Sequence, residues 1–416
     1  MVTVSVELSQ GNVLPTARAK EWTAKIDLVA DELEREAPKA EVLGKLSDRT
    51  IEILRELNIS AVMVPEEIGG PGLYPAETLP ILERLAYIDG SLGWLSTIFA
   101  SSGPLLAYLD PAEAKALLSE GEHLPLFAAS GAPNGKATPV DGGYRFSGSY
   151  SYSSGGLHAD WVFCSGFVMD GDKPQEGPNG GPQAPRMFLV STKDVVHGGN
   201  WDTIGLRGTG SVDFTVEDVF VPANRAIDLF GKPALSAPQV QGGFLVLVQL
   251  MHLSFACGIS RRILDEIAKV LSKPSMRNRG ASLSEDPRLR VEFAEFELAQ
   301  RAARAFVGTV WAEVDATLAA GEPLSRRLQT LLRGANIQIH NVLRDVSNWA
   351  YRRGGGTTLR QGTVQRAIRD AWAGTQHAIV DDSGLIGIGQ ELFGVPEDWI
   401  WAGLDLAPAG NRPKPF

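Results

Sequence analysis

Three short segments of this 416-residue sequence carry residue types that could take part in chemistry. One is built around His377, which follows the stretch WAGTQ and precedes Asp381 and Asp382. On a helix, a carboxylate four residues after a histidine shares its face, where it can raise the pKa of the imidazole and orient it as an acid or base. A histidine on a helix surface or in a core is the commoner outcome, and the local sequence leaves both interpretations open.

The other two segments combine glycines with polar groups. Residues 152–156 (YSSGG) end a predicted strand, and exposed hydroxyls there could hydrogen-bond the edge of a planar heterocycle. Residues 354–358 (GGGTT) follow Arg352 and Arg353, and free backbone N–H groups beside arginines suit a phosphate. A Ser/Gly turn and a flexible interhelical loop are the structural alternatives.

Several classes of function are disfavoured by what the sequence lacks. It has no Walker A, HExxH, CxxC or GxSxG motif and no nicotinamide fingerprint. None of its six histidines pairs with another at metal-ligand spacing, so no metal site is predicted. The two cysteines, Cys164 and Cys257, cannot form a disulfide framework and are predicted to be buried in a reducing compartment.

The overall charge also limits the classes of partner that the protein is expected to bind. The formal charge is −10, which argues against nucleic acid or an anionic membrane surface as a partner. Residues 244–259 are strongly apolar, but they are fewer than the ~20 that a membrane span requires and contain Gln249, His252 and Ser254. The N-terminus shows no signal-peptide pattern. We therefore expect a cytoplasmic protein without a membrane partner.

The chain divides into three zones of different periodicity. Residues 15–122 and the chain from 236 onward show helical patterns, whereas residues 123–235 contain short alternating runs typical of strands. The last long helix is predicted over 365–388. Helices, a small sheet and then more helices form an α+β arrangement. The predicted domains are 1–122, 123–235 and 236–416.

Several motifs together resemble the acyl-CoA dehydrogenase superfamily over nearly the whole chain. Residues 64–70 (VPEEIGG) resemble its P-x-E-Y-G-G turn, and residues 89–93 (DGSLG) resemble the helix start that follows. Residues 204–211 (IGLRGTGS) resemble its G-x-R-x-[ST] segment. The glycines at 354–356 with RAIRD at 366–370 resemble its C-terminal block. The resemblance implies an N-terminal helical domain, a middle β-barrel domain and a C-terminal four-helix bundle.

The sequence departs from the dehydrogenases at the catalytic base. The glutamate of their [YF]-E-G-T motif is replaced by Ala373, and the alternative base position on an earlier helix, near 256–260, offers no carboxylate. Abstraction of the α-proton of an acyl-CoA is therefore unsupported. The loop that reads T-E-P-x-A-G-S-D in the dehydrogenases is replaced by residues 128–135 (AASGAPNG).

The same departures resemble the group D two-component flavin-dependent monooxygenases. These include the 4-hydroxyphenylacetate hydroxylase oxygenase component, secosteroid phenol hydroxylases and dibenzothiophene monooxygenase. Residues 370–377 (DAWAGTQH) look like their D-x-x-A-G-x-Q-H signature, and residues 153–161 (SSGGLHADW) look like their S-S-G-x-x-H-x-[DE]-W segment. The resemblance implies reduced flavin (FADH2 or FMNH2) and O2, a C4a-(hydro)peroxyflavin, a small aromatic substrate, a separate NAD(P)H:flavin reductase and a homotetramer or homodimer.

The resemblance also assigns residues to roles. Ser154 would face flavin N5, and His377 would deprotonate the substrate or manage the proton of the peroxide. Further flavin-binding residues are expected in the glycine block, in two strand segments and in the break at 273–286: Tyr152, Trp201, Ser130, Arg277, Arg279, Gly355 and Gly356.

The substrate and two rival functions stay open. Some phenol hydroxylases of this branch place a histidine near residues 127–130, where this chain has none and His123 comes too early, so an indole or other fused aromatic remains an alternative to a phenol. The rival functions are a flavin oxidase or dehydrogenase of the same fold, acting on an amine, nitroalkane or acyl-CoA, and a non-catalytic acyl-CoA-binding protein.

Overall fold

A computed structural model describes residues 15–121, 123–177, 183–274 and 280–409 of the chain. Helices form its N-terminal and C-terminal parts, and a sheet lies between them in sequence. The α-helices of the described residues are α1 (Ala17–Leu43), α2 (Asp48–Glu56), α3 (Pro75–Ile88), α4 (Gly90–Ser102), α5 (Pro111–Leu118), α6 (Pro238–Gln241), α7 (Phe244–Leu271), α8 (Pro287–Ala319), α9 (Arg326–Gly354), α10 (Gly356–Leu359), α11 (Thr363–Gly374) and α12 (Gly384–Leu392).

Short polar residues fix the starts of several helices. The side chains of Ser47, Asp89 and Ser325 accept hydrogen bonds from backbone N–H groups in the first turns of α2, α4 and α9. Such caps satisfy donors that have no partner within the helix. Proline is the first residue of α3, α5 and α8, where its missing N–H costs little. These starts agree with the helical zones predicted from the sequence.

The predicted length of the last long helix is wrong. The pattern over 365–388 predicts one helix, but α11 ends at Gly374, a 3₁₀ turn spans Ala378–Val380 and α12 begins at Gly384. Apolar spacing alone does not distinguish a long helix from two short ones separated by a turn. This difference changes the environment of His377.

The strands form one open sheet and one hairpin. They are β1 (Phe127–Val140), β2 (Gly143–Tyr150), β3 (Trp161–Asp170), β4 (Lys173–Pro174), β5 (Arg186–Ser191), β6 (Val195–His197), β7 (Phe214–Pro222), β8 (Ala226–Ile227), β9 (Trp399–Ala402) and β10 (Asp405–Pro408). The large sheet has the order β6-β7-β2-β1-β3-β5-β8, β4 pairs with β3, and β9 pairs with β10. Its outer strands β6 and β8 do not pair with each other, so the predicted barrel is not confirmed.

The segment at 128–135, expected to be a loop, belongs to β1. It pairs in parallel with β3, with Ser130 opposite Cys164, and the register shifts between Ser130 and Gly135. A bulge of this kind adds residues on one strand and bends it locally. Polar and small residues concealed the strand in the sequence. The predicted hairpin at 142–143 does connect β1 to β2, with Gly142 at a φ of +76°.

Two large apolar cores hold the described part of the fold together. One contains buried side chains from both the N-terminal and the C-terminal helices, and the other lies under the sheet. Helix α7 is long and apolar enough to cross a bilayer by length and composition, but most of its apolar window is buried in the fold, as in a core helix of a soluble protein. It packs against α3, α4, α9 and α11. The domain boundaries stay a prediction.

Candidate active site

Ser154 lies just beyond β2, where the chain turns through Gly155 at a φ of +78°. Its Oγ accepts a hydrogen bond from Trp94 Nε1 at 3.2 Å and lies 2.8 Å from Ser211 Oγ. The side chain is half-buried, whereas Ser211 is buried. A residue of the middle region is thereby tied to helix α4 of the N-terminal region.

Trp94 connects Ser154 to the C-terminal helices. Its indole meets the His252 ring edge-on, with centroids 5.1 Å apart, and it meets Phe255 in the same way at 5.1 Å. The His252 ring lies 4.2 Å, centroid to centroid, from the ring of His377. Ser154, Trp94, His252 and His377 are therefore in successive contact, and we call them the Ser154–His377 row.

His377 does not lie on a helix beside its two aspartates. It precedes the 3₁₀ turn, and its Nδ1 accepts a hydrogen bond from the backbone N–H of Ile379 at 3.2 Å. Asp381 instead accepts from the N–H of Ser383, and Asp382 lies 3.6 Å from Arg344. The predicted pairing of the imidazole with a carboxylate is therefore wrong, because the chain turns immediately after α11.

The pKa of His377 is lowered in the structure, whereas the sequence predicted that a carboxylate would raise it. The His377 ring is accessible to solvent, but desolvation by the surrounding protein lowers its pKa below the ordinary value. His252 is fully buried, and its pKa lies well below the ordinary value because of desolvation and the neighbouring His377 and His340. Desolvation likewise lowers the pKa of His340 to about 3. All three imidazoles are therefore neutral at pH 7.

Backbone contacts determine where the protons of two rings lie. The Nδ1 of His377 accepts from an N–H, so the proton of its neutral ring is on Nε2. The Nδ1 of His340 lies 2.8 Å from the carbonyl oxygen of Asn336, which can only accept, so there the proton is on Nδ1. His377 can thus donate from Nε2.

Several of these residues were missed by reasoning from the sequence. Gln249 and His252 are polar interruptions of the apolar helix α7, and they face Asn336 and His340 on α9, where Asn336 Nδ2 donates to Gln249 Oε1 at 2.6 Å. Polar pairs at spacing three and four on two core helices were the available signal. Trp94 gave no such signal, because one tryptophan in a buried helix is ordinary.

The other residues expected to bind flavin fall into two groups. The Tyr152 ring packs edge-on against Trp201 at 5.3 Å, and Trp201 Nε1 donates to the carbonyl oxygen of Leu206 at 2.9 Å. Both aromatic side chains are at least partly exposed, and Tyr152 directly precedes the segment that carries Ser154. Ser130 is buried in β1. Tyr152 and Trp201 therefore belong to the region around Ser154, whereas Ser130 lies opposite Cys164 of β3.

The glycine block lies apart from the row within one chain. Gly355 and Gly356 precede α11, whereas His377 follows it, and a 12-residue helix is ~18 Å long. Gly355 has a φ of +58°, which favours glycine. Arg277 and Arg279 fall outside the described residues.

Neither of the two dehydrogenase base positions carries a carboxylate. Ala373 is half-buried, and residues 256–260 are buried and contain none. The buried carboxylates of the described residues serve other contacts. Asp89 pairs with Arg366 at 2.8 Å, and Glu83 pairs with Arg304 at 2.7 Å. Asp370 accepts from the N–H of Leu206 at 2.6 Å, and burial raises its pKa to about 8.

The comparisons with known proteins agree with this geometry. Family models match residues 23–119 as an acyl-CoA dehydrogenase N-terminal domain and residues 250–382 as an acyl-CoA dehydrogenase C-terminal domain. The chain is 30% identical over 354 residues to indole-3-acetate monooxygenase of Pseudomonas putida, covering 84% of this chain and 87% of that protein.

A second relative is known in sequence and in structure. The flavin-dependent monooxygenase oxygenase subunit HsaA of Mycobacterium tuberculosis is 29% identical over 392 residues, covering 91% of this chain and 96% of that protein. Its crystal structure matches with a TM-score of 0.80 at 26% identity, covering 91% of this chain and 98% of that one. XiaF from Streptomyces sp. in complex with FADH2 shares the fold, with a TM-score of 0.81 at 19% identity over 91% of this chain and 96% of that one.

The predicted family and its reliance on reduced flavin are therefore confirmed at the level of the homologues. The chain belongs to the acyl-CoA dehydrogenase superfamily and, within it, to the flavin-dependent monooxygenases.

Proposed function

We propose that the protein is the oxygenase component of a two-component monooxygenase that hydroxylates a small aromatic compound and receives reduced flavin from a separate NAD(P)H:flavin reductase. The observation that carries the proposal is the Ser154–His377 row, which connects the two sequence-predicted catalytic residues through Trp94 and His252. The indole-3-acetate and HsaA relatives support the aromatic substrate.

The residues around Ser154 fit an isoalloxazine ring. Ser154 offers a half-buried hydroxyl, and Tyr152 and Trp201 offer partly exposed aromatic faces for a planar ligand. Gly155 and Gly156 allow close packing behind Ser154, because an ideal Cβ would lie 2.7 Å from Phe99 at the first position and 2.1 Å from Ser153 Oγ at the second. When bound in its reduced form, the flavin supplies activation of O2. Ser154 would hold its N5 edge.

His377 acts in this proposal as a hydrogen-bond donor that keeps its proton. Its Nδ1 is engaged by Ile379, so the neutral ring offers the Nε2 proton to a developing negative charge on an oxygen atom. Of the two roles implied by the resemblance, the tautomer favours management of the oxygen-bound proton over deprotonation of the substrate.

The row is polar but uncharged at pH 7, because its imidazole rings are neutral and its other members are Ser154 and Trp94. Such a surface suits an aromatic ring that bears a hydroxyl or N–H group. The aromatic ring would contact Trp94, and His377 Nε2 would donate a hydrogen bond to an oxygen atom at the edge of the ring. A phenol oxygen can accept this hydrogen bond, whereas an indole N–H can only donate, so an indole would be held by its aromatic face.

Two further features belong to the proposal. The predicted C-terminal four-helix bundle would consist of α7, α8, α9 and α11, and the contacts of α9 with the other three helices support it. Exposed apolar side chains on and after α12 support a homodimer or homotetramer: Leu385, Ile386, Leu392 and Phe393. The acidic charge is consistent with a cytoplasmic enzyme. In such an assembly the glycine block would serve the flavin of a neighbouring copy.

The test is incorporation of oxygen from ¹⁸O2 into an aromatic product. The protein is supplied with NADH, a generic flavin reductase, FMN or FAD, and a panel of phenols and indoles, and products are measured by mass spectrometry. One ¹⁸O atom in a product supports the proposal. Release of hydrogen peroxide without labelled product from every compound, or a purified protein that retains oxidised flavin and oxidises an amine or nitroalkane, overturns it.

A His377→Ala variant tests the assigned residue. Removal of a preorganised hydrogen-bond donor that faces developing negative charge lowers the rate ~10²–10³-fold. The melting temperature should stay close to that of the native protein, because the His377 ring is accessible to solvent. Asp381→Asn is the matched control, since its carboxylate contacts Ser383 and not the imidazole, and it should retain the native rate. A native rate in His377→Ala contradicts the assignment.

A further inference from the structure

A chain of hydroxyl groups continues from Ser154 into the protein. Ser154 Oγ lies 2.8 Å from Ser211 Oγ, which lies 2.7 Å from Thr209 Oγ1. Thr209 Oγ1 in turn lies 2.8 Å from the carbonyl oxygen of Leu206. Ser211 and Thr209 are buried, so water does not compete for these contacts. At the other end, Trp94 Nε1 donates to Ser154.

Only one arrangement of the hydrogens satisfies all four contacts. The carbonyl oxygen of Leu206 can only accept, so the single proton of Thr209 points to it. Thr209 must then accept from Ser211, and Ser211 must accept from Ser154. The indole N–H of Trp94 can only donate, which agrees with Ser154 accepting at that end.

The direction of the chain decides what Ser154 offers to a ligand. Its one proton is engaged by Ser211, and one lone pair of its oxygen is engaged by Trp94. The remaining lone pair is the group it can present outward. Although a serine hydroxyl can in general donate or accept, here Ser154 is held as an acceptor.

We propose that Thr209 and Ser211 are specificity-determining residues that make the site select the reduced over the oxidised state of flavin, by holding Ser154 as a hydrogen-bond acceptor. The inference rests on the proposed function, in which Ser154 holds the N5 edge. Reduced flavin carries a hydrogen on N5 and can donate to Ser154. Oxidised flavin has a lone pair there, so two acceptors would face each other, which leaves both unsatisfied.

Such selection would serve an enzyme supplied by a separate reductase. Oxidised flavin left after turnover must leave the site. A site whose group at N5 can accept a hydrogen bond but cannot donate one favours exchange of the oxidised form for the reduced form. A hydroxyl free to rotate would donate to oxidised N5 and lose this preference. Thr209 and Ser211 need not touch flavin for this effect, since they act through Ser154.

The test compares the affinities of the apoprotein for the two states of the same flavin. Oxidised FMN and FAD are titrated by fluorescence quenching, and the dithionite-reduced forms are titrated anaerobically. Ser211→Ala and Thr209→Val each remove a hydroxyl and break the chain. We expect the ratio of the dissociation constants, oxidised to reduced, to fall ~3–10-fold, as one net hydrogen bond allows, mainly through tighter binding of oxidised flavin.

Two further variants make the result specific. Trp94→Phe removes the donor to Ser154 but leaves the chain pointing to Leu206, so its ratio should equal that of the native protein. Ser154→Ala removes the acceptor itself and should abolish the preference. Thermal melting verifies that each variant is folded. In a protein with bound flavin, a tenfold fall in the ratio corresponds to a ~30 mV change in the two-electron potential, which is a second readout.

The outcomes separate the inference from the proposed function. Native ratios in Ser211→Ala and Thr209→Val, together with a changed ratio in Ser154→Ala, overturn the inference and leave the flavin site in place. Unchanged affinities for both states in Ser154→Ala, or no binding of either state by the native protein, overturn the flavin site itself. A lower ratio in Trp94→Phe, equal to that of Ser211→Ala, also overturns the proposed direction of the chain.

Discussion

Replacement of Gly374 by alanine should displace the end of α11 and the histidine that follows it. An ideal Cβ at this position would lie 2.3 Å from Phe255 Cε1 and 2.7 Å from Cζ. Non-bonded carbon atoms are most stable ~3.5–4.0 Å apart, so the two groups must separate by more than ~1 Å. Phe255 is fully buried and packs edge-on against Trp94, which prevents its ring from simply turning away.

The steric clash in Gly374→Ala should lower both the free energy of unfolding and the rate of hydroxylation. Overpacking of a buried contact costs ~1–3 kcal/mol of unfolding free energy. His377 follows Gly374 by three residues, so the same shift changes its contact with His252, and a misplacement of ~1 Å in an active site can lower the rate ~10²-fold. The assays are denaturant unfolding and steady-state hydroxylation.

A control glycine and a compensating change test the steric reasoning. Gly389 lies within α12 and has no neighbour within 4 Å of its ideal Cβ, so Gly389→Ala should leave the rate unchanged and stabilise the helix by up to ~1 kcal/mol. Adding Phe255→Leu to Gly374→Ala should recover part of the lost rate. Native stability and native rate in Gly374→Ala would refute the argument.

Two other predictions concern the partly buried carboxyl of Asp315 and the glycine block. Asp315 accepts from the N–H of Ala76 at the start of α3, and burial raises its pKa to about 7, so its contribution to stability should fall as the pH rises from about 4 to 7. In thermal melts, Asp315→Asn should therefore be more stable than the native protein at pH 8 but not at pH 4. The control variant Glu313→Gln, at an exposed position, should show no such difference. Equal pH dependence of stability in Asp315→Asn and in the native protein would contradict the prediction. Gly355→Val and Gly394→Val each force a β-branched residue into a positive φ, at a cost of ~1–3 kcal/mol, but only Gly355→Val should also weaken flavin binding. Equal flavin affinity in these two variants would remove the glycine block from the site.

The order of the elements and the family could be predicted from the sequence. Helical spacing is a local signal, and the two zones in which it was found, 15–122 and from 236 onward, contain all the α-helices of the described residues. The motifs around Ser154 and His377 named two residues that the structure then connected. Local signals failed where small and polar residues formed β1, and where a turn interrupted an apolar pattern after Gly374.

The environment of each site residue was decided by tertiary structure. The sequence paired His377 with a carboxylate, but the fold gives it His252 from α7, which lies more than a hundred residues earlier. Its tautomer follows from one backbone N–H, and the hydrogen of Ser154 follows from a carbonyl group three contacts away.

Residue types therefore determined which chemistry was possible, because a hydroxyl, an imidazole and the absence of a glutamate at Ala373 are properties of single positions. Protonation and donor direction depend on desolvation and on neighbours brought together by packing. These interactions act over a few ångströms between segments distant in sequence, so only the folded chain could determine them.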